Sequence, residues 1–124
     1  VFSVPGVHGI SFGEGFRFAA ARGSAMNDSY AVGGSTVTNH SGGINGGLSN
    51  GMPLIFEVCF RPIPSIFTEQ DMLDLETKSA FKGQVKGRHD ACILPRGCVV
   101  IEACAAIALY DLILQYNLYG GKTE

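Results

Sequence analysis

Apolar and polar residues alternate along the first half of the chain and give way to a nearly unbroken apolar stretch at its end. From Val7 to Ala21, Ile10, Phe12, Phe16 and Phe18 recur at even spacing with Arg17 on the opposite face. That period of two predicts a strand, or two strands broken at Gly13-Glu14-Gly15 by a bulge or tight bend. Gly23 to Asp28 is a polar turn, and Asp28 is placed to cap a short turn through its side chain. A weak strand is expected over Ser35–Asn39. In Leu54–Phe60, Leu54, Phe56, Val58 and Phe60 point one way while Ile55, Glu57, Cys59 and Arg61 point the other, which predicts an interior strand covered on both faces. Pro62 and Pro64 cannot continue a central ladder and end it. Asp71–Ser79 and Phe81–Lys86 alternate as a charged hairpin at a sheet edge. From Gly97 to Tyr119 the charged residues are Glu102 and Asp111, which fall on opposite sides at helical spacing. A helix apolar nearly all round is expected to lie buried in a core, with Pro95 at its approach and Gly120-Gly121 at its end. Its small residues, Ala103, Cys104, Ala105, Ala106 and Ala108, suit close approach by another layer or subunit. The expected fold class is α+β, an antiparallel sheet packed on a long buried C-terminal helix.

Length and charge narrow the classes. A chain of 124 residues suits a single domain with one core, here taken as 1–124. A net charge of −2 argues against a nucleic-acid or membrane surface as the main partner. No apolar run is read as long enough to span a membrane and no leader-like start is read, so a soluble, cytoplasmic protein is expected. The first residue is Val1, and Val1 to Pro5 reads as the inside of an ordered segment, so the chain is expected to be a piece of a longer one. Cys59, Cys92, Cys98 and Cys104 lie on apolar segments without zinc-ligand spacing, and reduced, buried thiols are expected.

The stretch Thr38–Ser65 carries five glycines and three asparagines ahead of the strand that ends in Arg61-Pro62. Such density serves either a flexible connection or a loop that presents backbone amides to an anion. Two basic clusters, Arg61-Pro62-Ile63-Pro64-Ser65 and Lys86-Gly87-Arg88-His89-Asp90 with Arg96 beyond it, are either solvated faces or phosphate-binding edges. Both common nucleotide-loop fingerprints are absent, and the lone His89-Asp90 pair lacks the further ligands of a metal phosphohydrolase. The residues by themselves lead to an α+β domain with an anion-binding edge.

The longer blocks carry a resemblance. Pro5 to Phe16 (PGVHGISFGEGF), Arg22 to Asp28 (RGSAMND), Asn39 to Pro53 (NHSGGINGGLSNGMP), Phe60 to Ile66 (FRPIPSI) and Lys86 to Cys92 (KGRHDAC) stand in the order found in chorismate synthases. The chain resembles the C-terminal portion of that family. The resemblance implies half of a pseudo-repeated sandwich of helices between sheets, in a homotetramer. It implies a shikimate-pathway lyase of aromatic amino-acid biosynthesis that converts 5-enolpyruvylshikimate 3-phosphate to chorismate and phosphate by 1,4-elimination. Reduced FMN is required without net redox change, and NADP is associated with the family. In the family account the flavin lends electron density as phosphate leaves and its N5 accepts the ring proton. The aspartate of the Arg-His-Asp block, here Asp90, assists N5 as a proton relay tuned by a buried site.

For the flavin the family pattern points to Pro5, Gly6, Gly46, Arg61, Pro62, Ile63, Pro64, Ser65 and Arg88, with no metal. Arg61 stands where lysine is usual, Ile63 where threonine is common, and Ala91 where proline is usual. Arg61 keeps the charge, whereas Ile63 leaves that contact to backbone. The family's two catalytic histidines and its substrate-binding arginines belong to its N-terminal part, and His8, His40 and His89 do not take those roles. This portion alone is therefore expected to be inactive. A second reading, a non-catalytic interaction or structural domain derived from the same fold, rests on Ile63 and Ala91.

Overall fold

The computed structural model describes residues 1–119 of the chain. They fall in two compact units, Val1–Phe60 and Arg61–Glu124, the second described as far as Tyr119. Short antiparallel pairs and one long helix make the class α+β, as the patterning predicts.

In the first unit, strand β1 (Val7–Phe12) pairs antiparallel with β4 (Phe56–Phe60), with Ile10 opposite Val58 and Phe12 opposite Phe56. The Phe12 and Phe56 rings lie 5.8 Å apart between centroids and close the end of this pair. The strand expected beyond Gly13 is instead a 3-10 helix, Gly15–Ala20. Gly13 and Gly15 both hold φ near +53°, which takes the chain out of the extended region, so the even spacing of Phe16 and Phe18 never becomes a ladder. The pair Arg17 and Glu14, at 3.0 Å, spans that turn. A short helix α1 (Gly23–Met26) follows, then the tiny hairpin of β2 (Ile44–Asn45) and β3 (Leu48–Ser49). Over 35–39 the expected strand is reduced to one bridge between Tyr30 and Thr36. Among the described residues β4 has a single strand partner, and Glu57 and Cys59 are exposed, so it is not the interior strand that its two-sided pattern suggests.

In the second unit, β5 (Gln70–Leu73) and β6 (Ala80–Gly83) form the expected hairpin. Asp74 organises its loop by accepting from the amides of Glu76 and Thr77 at 2.8 and 3.2 Å, and these bonds hold its carboxyl below the ordinary value. Helix α2 runs Leu94–Tyr119, starting slightly before the predicted Gly97. The Ile93 carbonyl accepts from the amides of Arg96 and Gly97 at 3.1 and 2.9 Å, while Pro95 sits in the first turn, where its missing N–H costs nothing. The predicted stop at Gly120-Gly121 lies outside the described residues.

Two sequence expectations need correction at α2. Only Gly97 and Ile101 are buried along it, while Ile107 is 70% and Leu112 60% exposed. The periodicity identifies side chains that favour burial, and within the described residues of its own unit α2 is left largely uncovered. The helix is also 26 residues long and holds an 18-residue stretch with a mean hydropathy of 2.0, long and apolar enough by length and composition to cross a membrane. The cysteines depart likewise: all are free, but Cys59, Cys92 and Cys98 are exposed and Cys104 half-buried, because the elements that carry them are largely uncovered.

Candidate functional site

The first unit is organised around a buried carboxylate. The Asp28 side chain is 5% exposed, and its Oδ1 accepts from the His40 amide at 2.8 Å, His40 Nδ1 at 2.9 Å and the Thr38 hydroxyl at 2.8 Å. Its Oδ2 accepts from the Ser41 amide at 2.9 Å. An ionised carboxylate only accepts, so the proton on the paired ring nitrogen of His40 belongs to the histidine. Burial pushes the Asp28 carboxyl up, but the amides of Ser41 and His40 and the Thr38 hydroxyl outweigh it and hold the group well below the usual carboxylate range.

Beyond Ser41 the glycine loop is first tight and then open. At Gly13 a Cβ would lie 1.9 Å from the His40 carbonyl oxygen, and at Gly42 one would lie 2.4 Å from the Gly13 nitrogen, so these two backbones touch where no side chain fits. Gly42 and Ile55 bond at 3.1 Å and Gly13 and Ile55 at 2.9 Å, tying the loop to the end of the β1–β4 pair. Gly46 and Gly47 form the two-residue turn of the β2–β3 hairpin, both with positive φ, and a Cβ on either meets nothing within 4 Å. Asn45 and Asn50 brace the hairpin from its side, bonded to Ser41 at 3.2 Å and to each other at 2.6 Å. The loop is therefore an ordered platform with a bare tip, not the flexible connection that composition also allowed. Pro5 and Gly6 are the central residues of a second turn, closed by the Val7 amide and Val4 carbonyl at 3.2 Å, with Gly6 at φ +90°. No hydrogen bond joins that turn to Gly46 among the described residues.

The second unit holds the remaining predicted residues. Arg61 and Arg88 are exposed and have no carboxylate partner among the described residues. Pro62 and Pro64 lack N–H groups, and the alternating amides of Ile63 and Ser65 carry no backbone partner among the described residues. The segment leads to Phe67, whose ring lies 6.0 Å from that of His89 and whose carbonyl accepts from Gln84. His89 Nε2 is buried and unpartnered. Asp90 is 58% exposed and bonded to Arg96 in the first turn of α2. The burial expected around Asp90 is thus not seen among the described residues.

Sequence reading saw Asp28 as a local cap and Arg96 as one more charge in a basic cluster. Their real partners are Thr38, His40 and Ser41 for the first, and Asp90 for the second. Arg96 lay outside the helix predicted from Gly97, and the earlier start at Leu94 puts it in the first turn, within reach of Asp90. The partners of Asp28 lie ten to thirteen residues away across irregular chain, where spacing carries no signal.

A family model described as chorismate synthase matches residues 1–114. The chain belongs to the chorismate synthase family. The chorismate synthase of Thermococcus gammatolerans is 42% identical over 124 residues, covering 98% of this chain and 35% of that protein. That of Aeropyrum pernix is 48% identical over 117 residues, covering 92% of this chain and 31% of that protein. That of Chitinophaga pinensis is 46% identical over 115 residues, covering 92% and 35%. The chain thus spans about a third of the length of these curated chorismate synthases.

Proposed function

We propose that this chain is the C-terminal, flavin-facing portion of a chorismate synthase. The complete protein would convert 5-enolpyruvylshikimate 3-phosphate to chorismate and phosphate. The observation that carries the reading is the match over residues 1–114 together with a bare glycine turn at Gly46 and an intact Arg88-His89-Asp90 block. In that enzyme the 124 residues belong to one domain, completed by the rest of the polypeptide.

Each unit by itself carries groups suited to a flavin mononucleotide. The open space over Gly46 and Gly47 is what a Cβ would fill and what a flat ring system needs for close backbone approach. The free amides of Ile63 and Ser65 suit the carbonyl oxygens of such a ring, and the unpaired guanidiniums of Arg61 and Arg88 suit a phosphate. Ile63 makes that contact through backbone, as its side chain has no hydroxyl to offer. When bound and reduced, FMN supplies electron density to the allylic system as phosphate leaves. The elimination breaks one C–O bond and removes one ring proton, so it needs cationic charge for the departing phosphate and a carboxylate able to hold a proton. In this reading Arg61 and Arg88 hold the flavin's phosphate, and the charge for the departing phosphate comes from arginines outside this chain. Asp90 holds or passes the proton, and Arg96 orients its carboxylate. A homotetramer in the cytoplasm, with NADP as an associated nucleotide, completes the reading, and in it the apolar surface of α2 is covered by the rest of the assembly.

Replacing Asp90 with Asn in the complete protein tests the assignment. An enzyme that uses this carboxylate loses most turnover while its fold and FMN binding persist; unchanged turnover removes Asp90 from the reaction.

A further inference from the structure

We propose that Asp28 is the positioning residue of the glycine loop: its carboxylate fixes Thr38, His40 and Ser41, and so sets where the backbone from Gly42 to Gly47 lies. The inference deepens the flavin reading and rests on it for the identity of the ligand. Three observations carry it.

The first is that Asp28 is almost fully buried and yet completely paired, with both oxygens engaged by donors from a segment ten to thirteen residues further on. A buried charge is tolerated only when its donors are held in place, and here the donors are backbone amides, so the backbone itself is held. The second is the absence of slack beyond the anchor. Ser41 is followed directly by Gly42, wedged against Gly13 and Ile55, and by Gly43, where a Cβ would lie 2.5 Å from the Pro53 carbonyl oxygen. The loop is therefore gripped by Asp28 on one side and by the end of the β1–β4 pair on the other until it emerges at Gly46. The third is that the grip also reaches the hairpin's side chains, because Ser41 accepts from Asn45, which in turn accepts from Asn50. Asparagine at position 28 would place an N–H₂ group against the amide of Ser41 or of His40, so one side of the clamp opens without loss of volume.

The test uses the complete chorismate synthase polypeptide carrying this chain, as wild type, Asp28→Asn and Thr38→Val. Hydrogen exchange is followed over Ser41–Gly47, FMN affinity is measured by titrating oxidised FMN, and thermal unfolding is recorded alongside. The expected result is faster exchange in the loop of Asp28→Asn and a Kd for FMN raised roughly 10- to 100-fold at temperatures well below unfolding, with Thr38→Val shifted less in the same direction. A merely structural role would lower the unfolding temperature and leave the Kd of the folded protein unchanged, and that outcome overturns the proposal. Unchanged exchange in Asp28→Asn overturns the anchor itself. Wild-type protein that takes up no FMN overturns the flavin reading and the positioning role with it, while the exchange data still decide whether the anchor exists. Should Asp28→Asn not fold, Thr38→Val decides by the same two readouts.

Discussion

Asp28 bonds His40 twice through one oxygen, to the backbone amide at 2.8 Å and to ring Nδ1 at 2.9 Å, so residue 40 is fixed in both backbone and side chain by a single acid. That relationship makes acid stability the first expected signature. A carboxyl held below its unfolded value of about 3.9 contributes stability that is complete above that value and is lost as pH falls through the folded value. The complete protein is expected to weaken progressively below about pH 4, and Asp28→Ala to lack that part of the response and to be less stable by about 3 kcal/mol at neutral pH. Chemical denaturation at a series of pH values measures both, and an unaltered acid limb in the variant would speak against the role of Asp28.

Gly13 and Gly23 make a contrasting pair. A Cβ at Gly13 meets the His40 carbonyl oxygen at 1.9 Å with φ at +53°, whereas at Gly23, in α1, it meets nothing within 4 Å. Gly13→Ala is expected to destabilise by more than about 2 kcal/mol, because backbone on one side must move, and Gly23→Ala to be neutral or to stabilise by up to about 1 kcal/mol. Equal midpoints for the two variants in urea would contradict the close packing of Gly13 on the loop.

How much of this was legible in the sequence depended on the range of the interaction. The β1–β4 strands, the β5–β6 hairpin and α2 follow from periodicity within single segments, and the structure returns them with shifted ends. Phe16 and Phe18 kept a strand-like spacing but follow glycines at positive φ, and dihedrals override a two-residue period. Burial failed at α2 and at Cys59, Cys92 and Cys98 for one reason: hydropathy states what a side chain favours, not whether another element covers it. Of the candidate site, the glycine loop and the Arg88-His89-Asp90 block were visible as letters. The clamp on Asp28 was not, since its partners are distant and lie on irregular backbone.

The exposed apolar surface of α2 leads to a solution prediction. Side chains such as Ile107 and Leu112, at 70% and 60% exposure, belong to an apolar helix surface more extensive than a protein ordinarily leaves to water. The isolated 124-residue chain is expected to aggregate without defined stoichiometry or to bind detergent, and the complete protein to form one discrete oligomer that binds no detergent. Leu112→Asp in the complete protein is expected to break the oligomer or send the protein into the pellet. Size-exclusion chromatography with light scattering distinguishes these, and a complete protein that sediments with membranes would assign α2 to a bilayer instead.

Asp90 is expected to separate catalysis from stability. Its pair with Arg96 is exposed on both sides, at 58% and 72%, and such pairs contribute at most about 1 kcal/mol. Asp90→Asn should therefore leave the unfolding temperature nearly unchanged while turnover falls roughly 100-fold or more, in line with loss of a proton-transfer group. Steady-state kinetics beside a melting curve checks it, and a matched fall in both would make Asp90 structural.

The most direct test of the central claim is an anaerobic assay of chorismate formation by the complete polypeptide, given 5-enolpyruvylshikimate 3-phosphate and reduced FMN. The account expects turnover that disappears when the flavin is left oxidised. No turnover from a folded, complete protein under reduced flavin would contradict it and favour a non-catalytic domain built on the same fold.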